Sequence, residues 1–190
     1  YTYVKQSLND PNFNNTNIVK LGFWPGGDRD GNPFVTAKIT RQVADELRTT
    51  LMKCYYNDVK KLGQKITFRH AQEVLSSLRE DLYDCMFHPE KTIGYQEIIS
   101  RLTEVKRQVD DNYYGLYTED IELLINKVHI FKNHFATLDI RQDHSMHYKL
   151  VEEILKHNGF VSLSLTELSS EDLIDALLNK SIDISGFKSE

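Results

Sequence analysis

The amino-acid sequence predicts a mostly α-helical chain with two short strands that belong to an α/β barrel. Apolar residues recur at helical spacing through most of the chain. Two short strand-like segments, at about residues 17–23 and 135–140, lie far apart in the sequence, and each leads directly into unusual polar residues. Because α/β barrels gather their functional groups at the C-terminal ends of parallel strands, this order favours a barrel over a plain helical domain.

The bulk composition is typical of a globular protein of one domain. The chain has 190 residues, of which 40% are hydrophobic and 27% are charged, and its net charge is −5. This negative balance argues against a general surface for nucleic acid or for anionic membranes. No apolar run reaches the roughly 18 residues of a membrane helix. Cys54 and Cys85 lie in apolar helical contexts without CxxC pairing, which predicts two buried, reduced thiols and a cytoplasmic protein.

The first third of the chain contains a predicted loop, a strand and a long helix. Residues 1–16 include "NDPNFNNTN" and predict a loop or entry segment. Ile18–Phe23, "IVKLGF", is short, apolar and β-branched at its start, so it predicts a buried strand. From Thr36 a helix is expected to run until Gly63, with an apolar stripe of Ile39, Val43, Leu47, Leu51, Tyr55, Val59 and Leu62.

The middle of the chain predicts three further helices and then a strand. The helices cover about His70–Met86, Tyr95–Val109 and Thr118–Asn133, and the connections are "HPEKTIGY" and "DDNYYGLYTED". The segment "HFATLDIRQ" alternates, with Ala136, Leu138 and Ile140 on one face and Thr137, Asp139 and Arg141 on the other.

Two more helices are predicted near the end of the chain. One covers about Ser145–His157 and is closed by Gly159. The other lies in "SSEDLIDALLNK", where Ser169 is a plausible cap with Asp172 three residues later.

The stretch "LGFWPGGDRDGNP" between Leu21 and Pro33 is richer in turn residues than an ordinary connection. Calcium is one interpretation, because Asp28, Asp30 and Asn32 have the spacing that opens an EF-hand loop, but the Gly and Glu that should follow are absent. A P-loop is another, but it lacks the GK[S/T] ending.

Two interpretations of the stretch fit the residues better. In an active-site turn, Gly26 and Gly27 allow positive φ, and Asp28 and Asp30 hold the Arg29 guanidinium or cap neighbouring amides. The other interpretation is an elaborate strand-to-helix turn without further function. Arg141 has a similar pair of interpretations: it is paired with Asp139 or Asp143, or it clamps an anion at a strand end.

Two segments resemble a known family. "FWPGGDRDGNPFVTAKITRQV" and "FKNHFATLDIRQDHSMH" are similar, in this order, to the GGDRDGNP and LDIRQ segments of phosphoenolpyruvate carboxylase. The later "SLTELSSEDLIDALL" is similar as well, so the resemblance covers roughly residues 17–180. It implies an enzyme that makes oxaloacetate and phosphate from phosphoenolpyruvate and bicarbonate with Mg²⁺ or Mn²⁺, on an α/β barrel with many added helices.

The resemblance also implies roles for four residues. Arg141 matches an active-site arginine that handles the substrate phosphate or carboxyphosphate, and Trp24 matches a tryptophan near the substrate methylene carbon. Asp28 and Arg29 lie in the matched turn at the barrel mouth, where we expect them to bind substrate. Arginines and a metal ion suit a reaction that concentrates negative charge.

The chain also departs from the family pattern. Pro25 replaces a Met or Ile-like residue, and Asp143–His144 replaces Glu–Ser. The VLTAHPTE segment with the catalytic histidine is missing, and so are the acidic metal ligands. His144 and His147 are the nearest approach to a metal pair, and no metal site is predicted.

We therefore expect an internal fragment of one partial domain that is inactive alone and works with the rest of the same polypeptide, in a homo-oligomer. The alternative is a non-catalytic helical binding or regulatory module derived from such an enzyme.

Overall fold

The computed structural model describes residues 2–10, 13, 20–88 and 90–186. These residues form seven α-helices, one short 3₁₀-helix and two short strands, which confirms the mostly helical fold with two strands. The elements are α1 (Thr2–Leu8), β1 (Gly22–Phe23), α2 (Ala37–Lys65), α3 (Arg69–Phe87), α4 (Tyr95–Asn112), α5 (Thr118–Phe131), β2 (Thr137–Leu138), α6 (His144–His157), the 3₁₀-helix (Leu165–Glu167) and α7 (Ser170–Asn179). Within the described ranges, no helix is both long and apolar enough to cross a membrane.

The chain divides into two compact units. The first unit comprises Tyr1–Phe23 and Gln42–Leu138, and the second comprises Trp24–Arg41 and Asp139–Glu190. Each unit has its own cluster of buried apolar residues.

The core of the first unit is built from α2, α3, α4 and α5. Each helix presents an apolar face at helical spacing, which packs against the others and removes that face from water. The predicted stripe of α2 is buried from Leu51 onward, whereas Val43 and Leu47 are only half-buried. Ten side chains of this core have no exposed surface: Tyr55, Ile66, Leu78, Leu82, Ile98, Leu102, Val105, Val109, Ile121 and Val128.

The sequence predicts a loop at residues 1–16. This prediction is wrong for the first part of the segment, which forms α1. Asn9 ends this helix in the left-handed region at φ 50°, and the Asp10 amide donates to the Lys5 carbonyl at 3.0 Å. A residue in the left-handed region is a common way to end a helix. The Asn-rich residues that follow led to the prediction of a loop, and the short helix before them was missed. Residues 14–19, which include the start of the predicted first strand, lie outside the described part of the chain.

Two further predictions in the first unit need correction. Gly63 does not stop α2, which continues to Lys65, because one glycine weakens a packed helix without breaking it. Cys54 is exposed and Cys85 is buried. Cys54 is adjacent to Tyr55 on α2 but faces away from the core, so its apolar neighbours in sequence were misleading.

The two strands pair in parallel, as predicted, but the regular ladder is shorter than expected. Gly22 pairs with Thr137 and Phe23 with Leu138. The Thr137 amide donates to the Leu21 carbonyl at 2.9 Å. Thr137 is exposed and Leu138 half-buried, as the alternation predicts, whereas Ile140 is 62% exposed because it lies beyond the ladder.

The second unit has a smaller core around α6 and α7, formed by Leu155, Val161, Leu165 and Ala176. Two predicted helix boundaries are confirmed here. Gly159, at φ 73°, follows the end of α6, and the Ser169 hydroxyl accepts from the Asp172 amide at 3.1 Å at the start of α7. The 3₁₀-helix was not predicted, although its capping box of Ser164 and Glu167 is visible in the sequence as S-x-x-E.

The Glu167 carboxylate organises the loop before α7, and we expect it to make the second unit sensitive to acid. It accepts from the amides of Ser162, Ser164 and Leu163 at 2.9, 2.9 and 2.6 Å, and these bonds lower the pKa of Glu167. Because the pKa of Glu167 is lower in the folded protein than in the unfolded chain, the ionised carboxylate stabilises the fold at pH values above the ordinary pKa of Glu. This stabilisation is lost as pH falls through the pKa of the folded state.

Thermal melts of the wild type and Glu167→Gln between pH 7 and pH 3 would check this. The variant should melt at a lower temperature at pH 7, and the difference between the two melting temperatures should shrink as pH falls below the ordinary pKa of Glu. Glu171→Gln, in the first turn of α7, is the control. A difference between wild type and Glu167→Gln that is constant with pH would contradict the expectation.

Candidate functional site

The glycine-rich stretch and the segment around Arg141 lie side by side in the second unit. The Arg141 amide donates to the Gly27 carbonyl at 2.9 Å, and the Arg29 amide donates to the Arg141 carbonyl at 2.9 Å. These two bonds form a parallel bridge between Asp28 and Arg141. The main chain therefore brings together two sequence segments that are more than a hundred residues apart.

A tight turn follows Trp24. The amides of Gly27 and Asp28 both donate to the Trp24 carbonyl, at 2.9 and 3.1 Å. Gly26 uses the freedom that the sequence predicts and adopts φ 80°, which favours glycine, whereas Gly27 is buried and does not adopt a positive φ. The Thr40 hydroxyl donates to the Gly26 carbonyl at 2.7 Å and so fastens the turn to the start of α2.

A second turn leads from Gly31 into α2. Gly31 adopts φ 66°. The Asn32 side-chain oxygen accepts from the Phe34 amide at 3.1 Å, and the Asn32 carbonyl accepts from the Val35 amide at 3.3 Å. This is the local side-chain-to-backbone bonding expected of Asn in a turn, and it gives the G-N-P sequence a structural role.

Arg29 is held differently from the prediction. Its Nε donates to the Val35 carbonyl at 3.1 Å, and among the described residues it makes no ion pair with Asp28 or Asp30. The Val35 carbonyl and the Thr40 hydroxyl were missed by sequence reasoning, because only the folded turn shows where they point.

Arg141 lies at the surface of the second unit and pairs with Asp139. The distance between Arg141 Nε and Asp139 Oδ2 is 3.0 Å, with 60% and 55% of the two side chains exposed. An exposed pair of this kind contributes little to stability, and it engages only Nε of the guanidinium. Asp143, the other predicted partner, instead caps α6 through Ser145, and the Ser145 hydrogen bonds lower the pKa of Asp143.

Apolar side chains are exposed on the same segments. Trp24 is 59% exposed, Phe34 84% and Ile140 62%. The second unit therefore carries two guanidinium groups and an exposed indole on neighbouring stretches of chain. Guanidinium groups are well suited to binding phosphate and carboxylate, and an exposed indole can pack against an apolar carbon.

The described residues do not supply a metal-binding set. In that part of the chain, no group of three or more His, Cys, Asp or Glu side chains could hold an ion. Asp28 and Asp30 have the spacing of an EF-hand loop in the sequence, but they belong to no such group among the described residues. His144 and His147 are both exposed at the start of α6. We therefore assign no step of a reaction on these residues to a metal ion.

Known proteins resemble almost the whole chain. The family model described as phosphoenolpyruvate carboxylase matches residues 1–109 and 88–183. The phosphoenolpyruvate carboxylase of Aeromonas hydrophila subsp. hydrophila is 28% identical over 85% of this chain and 21% of its own length. The enzyme of Shewanella loihica is 46% identical over 30% of this chain and 6% of its own length, and that of Nitrosomonas europaea is 22% identical over 85% and 22%.

The chain thus spans about a fifth of the length of the first of these relatives. The family match covers far more than half of the chain and includes both segments that meet at the bridge between Asp28 and Arg141. The chain belongs to the phosphoenolpyruvate carboxylase family.

Proposed function

We propose that this chain is part of a phosphoenolpyruvate carboxylase that forms oxaloacetate and phosphate from phosphoenolpyruvate and bicarbonate. The observation that carries the proposal is the main-chain pairing of Arg141 with Gly27 and Arg29, because it joins the two segments whose residues resemble the family. Such a carboxylase is a carboxy-lyase that fixes carbon dioxide and replenishes the tricarboxylic acid cycle in the cytoplasm.

In this proposal, Arg141 is catalytic and binds the phosphate or carboxyphosphate. The reaction moves a phosphoryl group to bicarbonate and then carboxylates an enolate, so negative charge accumulates on oxygen atoms in both steps. A guanidinium aimed at that charge stabilises the transition state more than the ground state. Arg141 is exposed and pairs with Asp139 through Nε alone, and a phosphate that carries more charge can compete with one carboxylate.

The other site residues bind substrate. Arg29, held through Nε by the Val35 carbonyl, keeps its terminal N–H groups for a substrate carboxylate or phosphate. Asp28 is half-buried and lies opposite Arg141 in the bridge that Gly27 and Arg29 form, which keeps it next to the substrate in this proposal. Trp24 covers the methylene carbon of the enolate and keeps water from protonating it.

The proposal places the remaining apparatus in other parts of a longer polypeptide. The relatives are about five times as long as the matched segment, which leaves room for the catalytic histidine, for the ligands of Mg²⁺ or Mn²⁺, and for the other strands of an α/β barrel. In this view the 190 residues are one partial domain, and the complete enzyme is a homo-oligomer.

Two assays test the proposal. First, the complete reading frame that contains this chain is expressed, and oxaloacetate is measured by its reduction with NADH and malate dehydrogenase. Second, the same assay is run on the 190-residue chain alone. We expect activity that depends on phosphoenolpyruvate, bicarbonate and Mg²⁺ in the first assay and none in the second.

Either of two results would contradict this proposal. A reading frame that ends close to the present termini and forms no oxaloacetate would favour a non-catalytic binding or regulatory module. Oxaloacetate formation by the isolated chain would show that the apparatus missing from it is unnecessary. Buffer without enzyme and the complete enzyme without bicarbonate are the controls.

A further inference from the structure

The turn that connects α5 to β2, here called the lead-in turn (Lys132–Ala136), has an unusual backbone. Lys132 adopts φ 51° and ψ −122°, and Phe135 adopts φ 61°. Both residues carry a β-carbon, which disfavours this region of the φ/ψ map. The Ala136 amide donates to the His134 carbonyl at 2.6 Å and closes a three-residue turn around Phe135, a type of turn that is rare and strained at positive φ. Such a backbone persists only where surrounding contacts hold it.

Tyr55 of α2 supplies one of these contacts. Its side chain is fully buried, and its hydroxyl donates to the Lys132 carbonyl at 2.9 Å. Burial raises the pKa of Tyr55, so the hydroxyl keeps its proton and remains a donor at every physiological pH. A phenylalanine would fill the same space in the core. What the hydroxyl adds to this packing is the hydrogen bond to the Lys132 carbonyl.

Asn133 supplies a second contact. Its Nδ2 donates to the Ile93 carbonyl at 2.8 Å, and its Oδ1 accepts from the Tyr95 amide at 2.9 Å. The Asn133 side chain therefore makes hydrogen bonds to one main-chain carbonyl and one main-chain amide at the start of α4. The main chain of a neighbouring strand would make the same pair of bonds. Asn133 and Tyr55 thus attach the lead-in turn to two different helices of the first-unit core.

The strand that follows has a short regular ladder. β2 makes only two residue pairs with β1, and the bridge between Asp28 and Arg141 comes only further along the two segments. A slip of β2 by one residue would turn its side chains to the opposite face. The Thr137 amide, which donates to the Leu21 carbonyl, begins this ladder directly after the lead-in turn. The contacts that hold the turn therefore act directly on the residue at which the ladder begins.

We propose that Tyr55 and Asn133 are positioning residues that fix the register of β2, and with it the point along the chain at which Asp139 and Arg141 leave the strand. The consequence for catalysis rests on the proposed function, since it assumes that Arg141 binds the reacting groups. The consequence for the strand does not.

Hydrogen exchange at the Thr137 amide of the 190-residue chain tests the role in the strand. We expect about tenfold faster exchange in Tyr55→Phe and in Asn133→Ala, because the strand opens locally when its anchor is lost. Tyr56→Phe, a change of the same kind at the next residue, should leave exchange at Thr137 unchanged. Lys132→Gly relaxes the strained backbone, so Tyr55→Phe should have a smaller effect in that background.

Unchanged exchange at Thr137 in both anchor variants would overturn the proposal, as would an equal effect of Tyr56→Phe. Far-UV circular dichroism shows whether each variant folds, and the two anchor variants are independent of each other. If one fails to fold, the other decides.

Kinetics of the complete enzyme test the link to Arg141. Tyr55→Phe should lower kcat about threefold or more with little change in KM, because a small misplacement of a catalytic group is costly. It should have no further effect when Arg141 is already alanine, whereas a merely structural defect would lower activity in both backgrounds. A reading frame without oxaloacetate formation would overturn the proposed function, and Thr137 exchange would still decide the role of the two anchors.

Discussion

Arg141→Ala is expected to lower kcat/KM for oxaloacetate formation by the complete enzyme by about 10²- to 10³-fold, as the loss of one aimed donor does in other enzymes. The guanidinium is removed from the place where phosphoryl transfer concentrates negative charge. Because its pairing with Asp139 is exposed, the same substitution should change the free energy of unfolding by less than about 1 kcal/mol. A large kinetic effect with a small stability effect is therefore the expected signature.

Three variants make this result specific. Arg141→Lys keeps a positive charge but not the planar fork, so it should recover only part of the activity. Asp139→Asn removes the ion-pair partner and should leave kcat within about threefold. Arg107→Ala is the matched surface control, because Arg107 of α4 is 62% exposed and paired with Glu104 and Asp111. If Arg141→Ala retained a third or more of the wild-type kcat/KM, the catalytic role of Arg141 would be wrong.

Leu102→Ala is expected to destabilise the first unit by about 2–5 kcal/mol. Leu102 lies in the middle of α4, is fully buried, and belongs to the core that α2, α3, α4 and α5 share. Truncation removes apolar contacts and leaves a cavity that the close-packed helices cannot fill completely. Urea unfolding followed by circular dichroism would measure the change as a lower transition midpoint.

The controls for this prediction come from the same unit. Leu123→Ala, at a position of α5 that is 46% exposed, should cost less than about 1 kcal/mol. If Leu102→Ala does not fold, Ile98→Val on the same helix is the milder test and should cost about 0.5–1.5 kcal/mol. Equal effects of Leu102→Ala and Leu123→Ala would contradict the core described for the first unit.

Local sequence was sufficient for most of the helices. The predicted spans of α3 to α6 lie within three residues of the observed ends, because spacing of apolar residues and capping residues act over one or two turns. The same local signals failed for α1, where the composition of the following residues dominated the prediction, and for Cys54, whose face of α2 could not be judged from its neighbours.

The candidate site shows a similar division. The residues that compose it were identified from the GGDRDGNP and LDIRQ segments, and the need for glycine at Gly26 and Gly31 followed from turn chemistry. The hydrogen-bond partners of those residues could not be predicted from the sequence. Arg29 bonds the Val35 carbonyl rather than its neighbouring carboxylates, and Thr40 fastens the turn from α2.

The sequence by itself determined the family, most of the helices and the identity of the candidate site residues, because each depends on residue type and short-range spacing. Only the tertiary structure decided which distant groups meet: Gly27 and Arg29 with Arg141, Tyr55 with Lys132, and Asn133 with the start of α4. These contacts join residues far apart in the chain. Their geometry depends on how the whole core packs, which no short stretch of sequence specifies.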